Sequence, residues 1–120
     1  MDIDPVVKPD VHADAWQPPF PACSFDHVVL DPPYTVCRQP EIRAVLTAAL
    51  WCARSSVWWF HTIWVPPIPG LEVENSWLVR VGSYAAIRVL IKFRVTAPAG
   101  FRKQPYGRGT RDRCNHWSQQ

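Results

Sequence analysis

The stretch Phe25-Asp26-His27-Val28-Val29-Leu30-Asp31-Pro32-Pro33-Tyr34 decides the fold. Phe25 to Leu30 reads as a strand covered on both faces, as a central strand of a parallel sheet would be. Pro32 and Pro33 cannot donate to a sheet ladder, so the strand stops at Leu30 and the chain turns away. Asp31 therefore stands just past the carboxyl end of a strand. In open α/β sheets that rim is where ligands sit. A carboxylate there accepts a hydrogen bond from an amino group, the Pro32 carbonyl is expected to face the same space, and Tyr34 offers a ring for stacking. The chemistry suits an amine carried on a flat ring.

Outward from this stretch, residues 1–9 carry Pro5 and Pro9 and are expected to be irregular. Val11-His12-Ala13 predicts a short strand ending at Asp14, and 16–24 a proline-rich surface loop. After the Asp-Pro-Pro-Tyr turn, Pro40 suits the first turn of a helix and Glu41 its positive end. Ile42, Val45, Leu46, Ala49, Leu50 and Ala53 recur at helical spacing and form one apolar stripe. Arg54-Ser55-Ser56 is expected to end that helix, and 57–65 to form the next strand. Pro66-Pro67-Ile68-Pro69-Gly70 prevents its continuation, leaving 70–74 as a turn or loop. Residues 77–81 and 86–95 predict a hairpin at the sheet edge, because Val89, Ile91, Phe93 and Val95 share one parity and imply one covered and one wet face. The sum is an α/β domain with parallel strands and a C-terminal antiparallel hairpin.

Asp31-Pro32-Pro33-Tyr34 at the end of an apolar run resembles the signature of the S-adenosylmethionine-dependent amino-methyltransferases, which methylate adenine N6 or cytosine N4. The approach to it is similar as well: His12-Ala13-Asp14-Ala15, then Pro19-Phe20-Pro21, then Ser24-Phe25-Asp26. Trp16-Gln17-Pro18 departs from the pattern, standing where many members have a shorter link with a Leu. The likeness spans about residues 10 to 95. It implies a partial Rossmann-like methyltransferase sheet over 10–96, with 97–120 as a basic, loosely ordered tail. It further implies that Asp31, Pro32, Pro33 and Tyr34 are the catalytic set, and that Asp14, Ala15 and Phe20 meet the adenine end of S-adenosylmethionine. The expected partner is nucleic acid, DNA first, with adenine N6 the preferred target.

The family's Gly-rich turn between a first strand and a helix is missing. The glycines are Gly70, Gly82, Gly100, Gly107 and Gly109, none in the required order. The expected sheet thus lacks its N-terminal half. Two readings follow: an enzyme completed by a second chain or a homo-oligomer, or a non-catalytic subunit or remnant that binds a partner chain or nucleic acid.

Composition adds bounds. A chain of 120 residues with net charge +3 makes one domain at most. Its cations gather in the second half, at Arg80, Arg88, Lys92, Arg94, Arg102, Lys103, Arg108, Arg111 and Arg113. That pattern fits a nucleic-acid backbone and fits equally a solvated surface with a loose tail. Cys23, Cys37, Cys52 and Cys114 show no Cys-x-x-Cys pair, so reduced thiols in a cytoplasmic protein are expected, with no metal. No apolar segment is long enough to cross a membrane, and no signal peptide is expected.

Overall fold

The structure is a computed structural model; it describes residues 1, 4–33, 36–61, 64–83 and 86–97. Tyr34 and the basic segment from 98 onward lie outside the described residues. A 3₁₀ turn at Pro5–Val7, capped by the Asp4 carboxylate on the Val6 amide at 2.9 Å, precedes four strands and one helix. These are β1 (Phe25–Leu30), α1 (Gln39–Cys52), β2 (Ala53–His61), β3 (Leu71–Val81) and β4 (Ala86–Val95). The sheet order is β1-β2-β4-β3, with β1 parallel to β2 and β4 antiparallel to both its neighbours. The α/β class, the parallel pair and the hairpin match the expectation.

The positions within the sheet do not all match. β1 is an edge strand, with Val29 71% exposed, although its apolar run reads as a central one. Periodicity reports how apolar a strand is, whereas the number of neighbours is a property of the whole sheet. The hairpin does lie at the other edge, with β3 outermost and β4 between β2 and β3, which is why Phe93 is buried while β3 is largely exposed. Residues 71–74 extend β3 rather than forming a turn, and a bulge between Val73 and Asn75 absorbs the extra residue. Val11-His12-Ala13 is reduced to a single bridge residue, His12.

The helix runs as the stripe predicts, with Pro40 in its first turn and Glu41 near its positive end. Its end differs. Ala53 is already extended, with its amide still bonded to the Ala49 carbonyl, and β2 begins there without a loop. Arg54-Ser55-Ser56 is strand, because Ala53 and Val57 are wholly buried under the helix and pull the chain straight onto the sheet. Residues 64–69 are not strand.

Ile42, Val45, Leu46 and Ala49 of α1 pack on Val57 and Trp59 of β2 and Phe93 of β4, with Val28 and Leu30 of β1 at the side. Each fully buried aliphatic chain contributes about 1.5–3 kcal/mol. The opposite face carries paired charges: Lys92 with Glu74 at 2.9 Å and Arg94 with Glu72 at 2.9 Å. The hydrogen bond from Lys92 holds the Glu74 carboxyl below its usual range. Trp58 and Trp77 stack there at 5.7 Å. Of the cations expected to form a basic surface, Arg88, Lys92 and Arg94 each have a carboxylate partner on this sheet.

Gly70 joins the proline segment to β3 at φ +93, and its carbonyl accepts from Thr96 at 2.8 Å. An added Cβ would stand 2.7 Å from Ala97 Cβ. Gly70→Ala is therefore expected to cost about 1–3 kcal/mol of unfolding free energy, measured by urea denaturation, from backbone strain plus the clash.

The thiols divide. Cys37 and Cys52 are free. Cys23 is disulfide-bonded, which corrects the expectation that all four are reduced. Burial pushes the Cys52 thiol up to about 11. Iodoacetamide at pH 8 is expected to label exposed Cys37 and spare Cys52, as mass mapping would read, because only thiolate reacts. Between about pH 9 and 11 the unfolded chain sheds the Cys52 proton and the folded chain keeps it, so stability falls across that window.

Candidate functional site

A cleft of about 500 Å³ runs beside β1 and extends past its carboxyl end to Asp31, Pro32 and Pro33. Its size lies within the range of small-molecule sites. One wall is the 13–20 segment, with Asp14, Ala15, Trp16 and Phe20; the other is β1 and the start of the proline turn, with Asp31, Pro32 and Pro33. Six of the seven residues singled out from the sequence thus line one cavity. The seventh, Tyr34, lies outside the described residues.

Local chemistry explains how the 13–20 wall is held. The Asp14 carboxylate accepts from the Trp16 amide at 2.9 Å, and the Asp14 carbonyl from the Gln17 amide at 3.0 Å, making a tight Asp-initiated turn. The turn swings Trp16 against the main core. Farther along, the Phe20 carbonyl accepts from Trp51 Nε1 at 3.2 Å, and the Phe20 ring meets Phe25 edge-on with centroids 4.9 Å apart. The Cys23 amide bonds the Trp51 carbonyl, and Arg54 Nε the Cys23 carbonyl at 2.8 Å. The proline-rich loop is fastened to the end of α1.

Asp31 has a partner that sequence reasoning missed. Arg88 of β4 sends its guanidinium across the end of β2, over the Phe60 ring at 4.0 Å from its centroid. There Nη2 donates to the Phe60 carbonyl at 2.6 Å and to Asp31 Oδ1. The Arg88 side chain is 10% exposed, that of Asp31 61%. The signal was present: Arg88 is one cation inside Ala86-Ile87-Arg88-Val89-Leu90-Ile91, and a charge that enters a sheet interior does so with a partner. Expected on a wet face, it is instead buried.

His61 also belongs to the site's frame. It ends β2 fully buried, stacks on Trp59 at 5.5 Å, and sets Nε2 3.4 Å from the Pro33 carbonyl. That carbonyl also accepts from the Val36 amide at 2.9 Å. The interior role expected for His61 therefore has a specific form: it backs the proline turn. On the opposite side of β1, His27 Nδ1 lies 2.6 Å from Ser56 Oγ, which also accepts from Trp58 Nε1.

The described residues lining the cleft include two carboxylates, Asp14 and Asp31, and neither Lys nor Arg. Three aromatic side chains, Trp16, Phe20 and Phe25, share the lining. Such a surface favours a flat ligand with positive charge and disfavours a phosphate-rich one. No group of three or more His, Cys, Asp or Glu is placed for a metal among the described residues. No helix among them is long and apolar enough to cross a membrane. No protein-family model, no curated protein and no solved structure matches this chain.

Proposed function

We propose that the cleft holds S-adenosylmethionine and that Asp31 receives an exocyclic amino group of a nucleic-acid base, adenine N6 in DNA first, for methyl transfer. The observation that carries this reading is the meeting of Asp14, Ala15 and Phe20 with Asp31, Pro32 and Pro33 around one cavity. Those two groups are 11 or more residues apart in the chain, and nothing in the spacing alone requires them to meet. The sheet adds support. A parallel β1–β2 pair crossed by α1, with an antiparallel strand inserted before the edge, is the order a methyltransferase-like sheet has in its second half.

The residues present fit the donor's chemistry. Its adenine is flat, matching Phe20 and Trp16, and its sulfur is positively charged, matching the carboxylates of Asp14 and Asp31. When bound, it supplies the methyl group. Asp31 accepts a hydrogen bond from the amine, aims the nitrogen lone pair, and offsets the positive charge that grows as the nitrogen–carbon bond forms; the surplus proton leaves to water. Alignment and a pre-placed charge are the two sources of acceleration.

A second reading is favoured by a specific observation. Arg88 already occupies Asp31 Oδ1, as a retired carboxylate in a non-catalytic subunit would allow. Calorimetry with S-adenosylmethionine, followed by methyl transfer to an adenine-containing oligonucleotide, separates the two. Micromolar binding with transfer supports the enzyme. Neither binding nor transfer by the full chain removes the stand-alone enzyme and favours a subunit that binds a partner chain.

A further inference from the structure

We infer that Arg88 is the positioning residue of this site: it clamps Asp31 Oδ1 so that Oδ2 is the oxygen presented to an amine. The inference rests on the proposed methyl-transfer reading and deepens it. The geometry is that of a built support. The guanidinium is fixed from three directions, by the Phe60 ring beneath it, the Phe60 carbonyl and Asp31 Oδ1. Asp31 itself follows the last residue of an edge strand, and its side chain is mostly exposed. An exposed carboxylate at a strand end rotates freely unless something holds it. A guanidinium with its own anchors that donates to one carboxylate oxygen narrows the rotation of that carboxylate and leaves its second oxygen available. His61 fixes the following proline turn from below, so the carboxylate and its backbone are held by separate residues.

Arg88 is not among the described residues that line the cleft and Asp31 is, so the contribution of Arg88 runs through Asp31. Removing it should leave donor affinity intact and lower turnover. Lys, a point charge without the planar fork, should restore only part of the loss.

The experiment uses the full chain with Arg88→Met and Arg88→Lys, reading S-adenosylmethionine affinity by calorimetry and kcat and KM on the oligonucleotide separately. The expected result for Arg88→Met is a kcat lowered tenfold or more, with donor Kd within threefold of wild type and KM changed less than kcat. Arg88→Lys should fall between the two. A kcat within twofold of wild type in Arg88→Met overturns the inference, as does an equal loss of donor affinity. Urea unfolding of Arg88→Met, Asp31→Ala and the double variant supplies a reading that needs no activity. Additive losses mean that the clamp is absent, and the inference fails. Non-additive losses in a wild-type protein that transfers no methyl group make the pair purely architectural; both the methyl-transfer reading and the positioning role then fall. Failure of the inference alone appears as wild-type transfer with silent Arg88 variants.

Discussion

Asp31→Ala is expected to lower methyl transfer by about a hundredfold to a thousandfold, the range seen when one pre-placed electrostatic group is removed from a reacting centre. Donor affinity should stay within about threefold, because the donor's adenine and sulfur are met by a surface in which Asp31 is one carboxylate of two. The substitution also strips a partner from Arg88, so some stability is lost with it. Asp31→Asn separates the effects. Its amide oxygen still accepts from Arg88, so the fold is spared, while the negative charge is gone. Equal kinetic losses in both variants, with stability lost mainly in the alanine, would assign the rate effect to charge. Turnover within twofold of wild type in either variant would sink the role given to Asp31.

Trp59→Ala is expected to be the most damaging single change to the fold, costing about 3–5 kcal/mol. Trp59 is 0% exposed, lies under α1 at the centre of the sheet, and stacks on His61. A small domain has about 5–15 kcal/mol in total, so this variant should be largely unfolded or close to it at 37 °C. The loss reaches the site as well, since His61 would keep its place behind Pro33 without the ring that supports it. Trp59→Phe should be far milder. Trp59 Nε1 is buried with no hydrogen-bond partner among the described residues, so an indole N–H that earns nothing is removed along with some volume. Guanidinium unfolding of both variants reads the difference. A loss below about 1 kcal/mol in Trp59→Ala would mean that the core is not centred there.

Local chemistry in the chain determined much of this protein. The extent of β1 followed from a six-residue run stopped by two prolines that cannot donate, and α1 from an apolar stripe with Pro40 and Glu41 at its start. The parity of Val89, Ile91, Phe93 and Val95 marked a strand with unlike faces. The candidate site was legible because its residues sit at element ends, where turn chemistry is written in Asp and Pro. The tertiary structure alone decided three further things. It made β1 an edge and β4 an inner strand, since neighbours come from the order of the sheet and not from the pattern of any one strand. It closed the helix directly onto β2, because burial of Ala53 outweighs the polar Arg54-Ser55-Ser56 that suggests a loop. And it brought Arg88 to Asp31, 57 positions earlier, a pairing set by the register of β4 on β2 and by the cost of burying a guanidinium without an anion beside it.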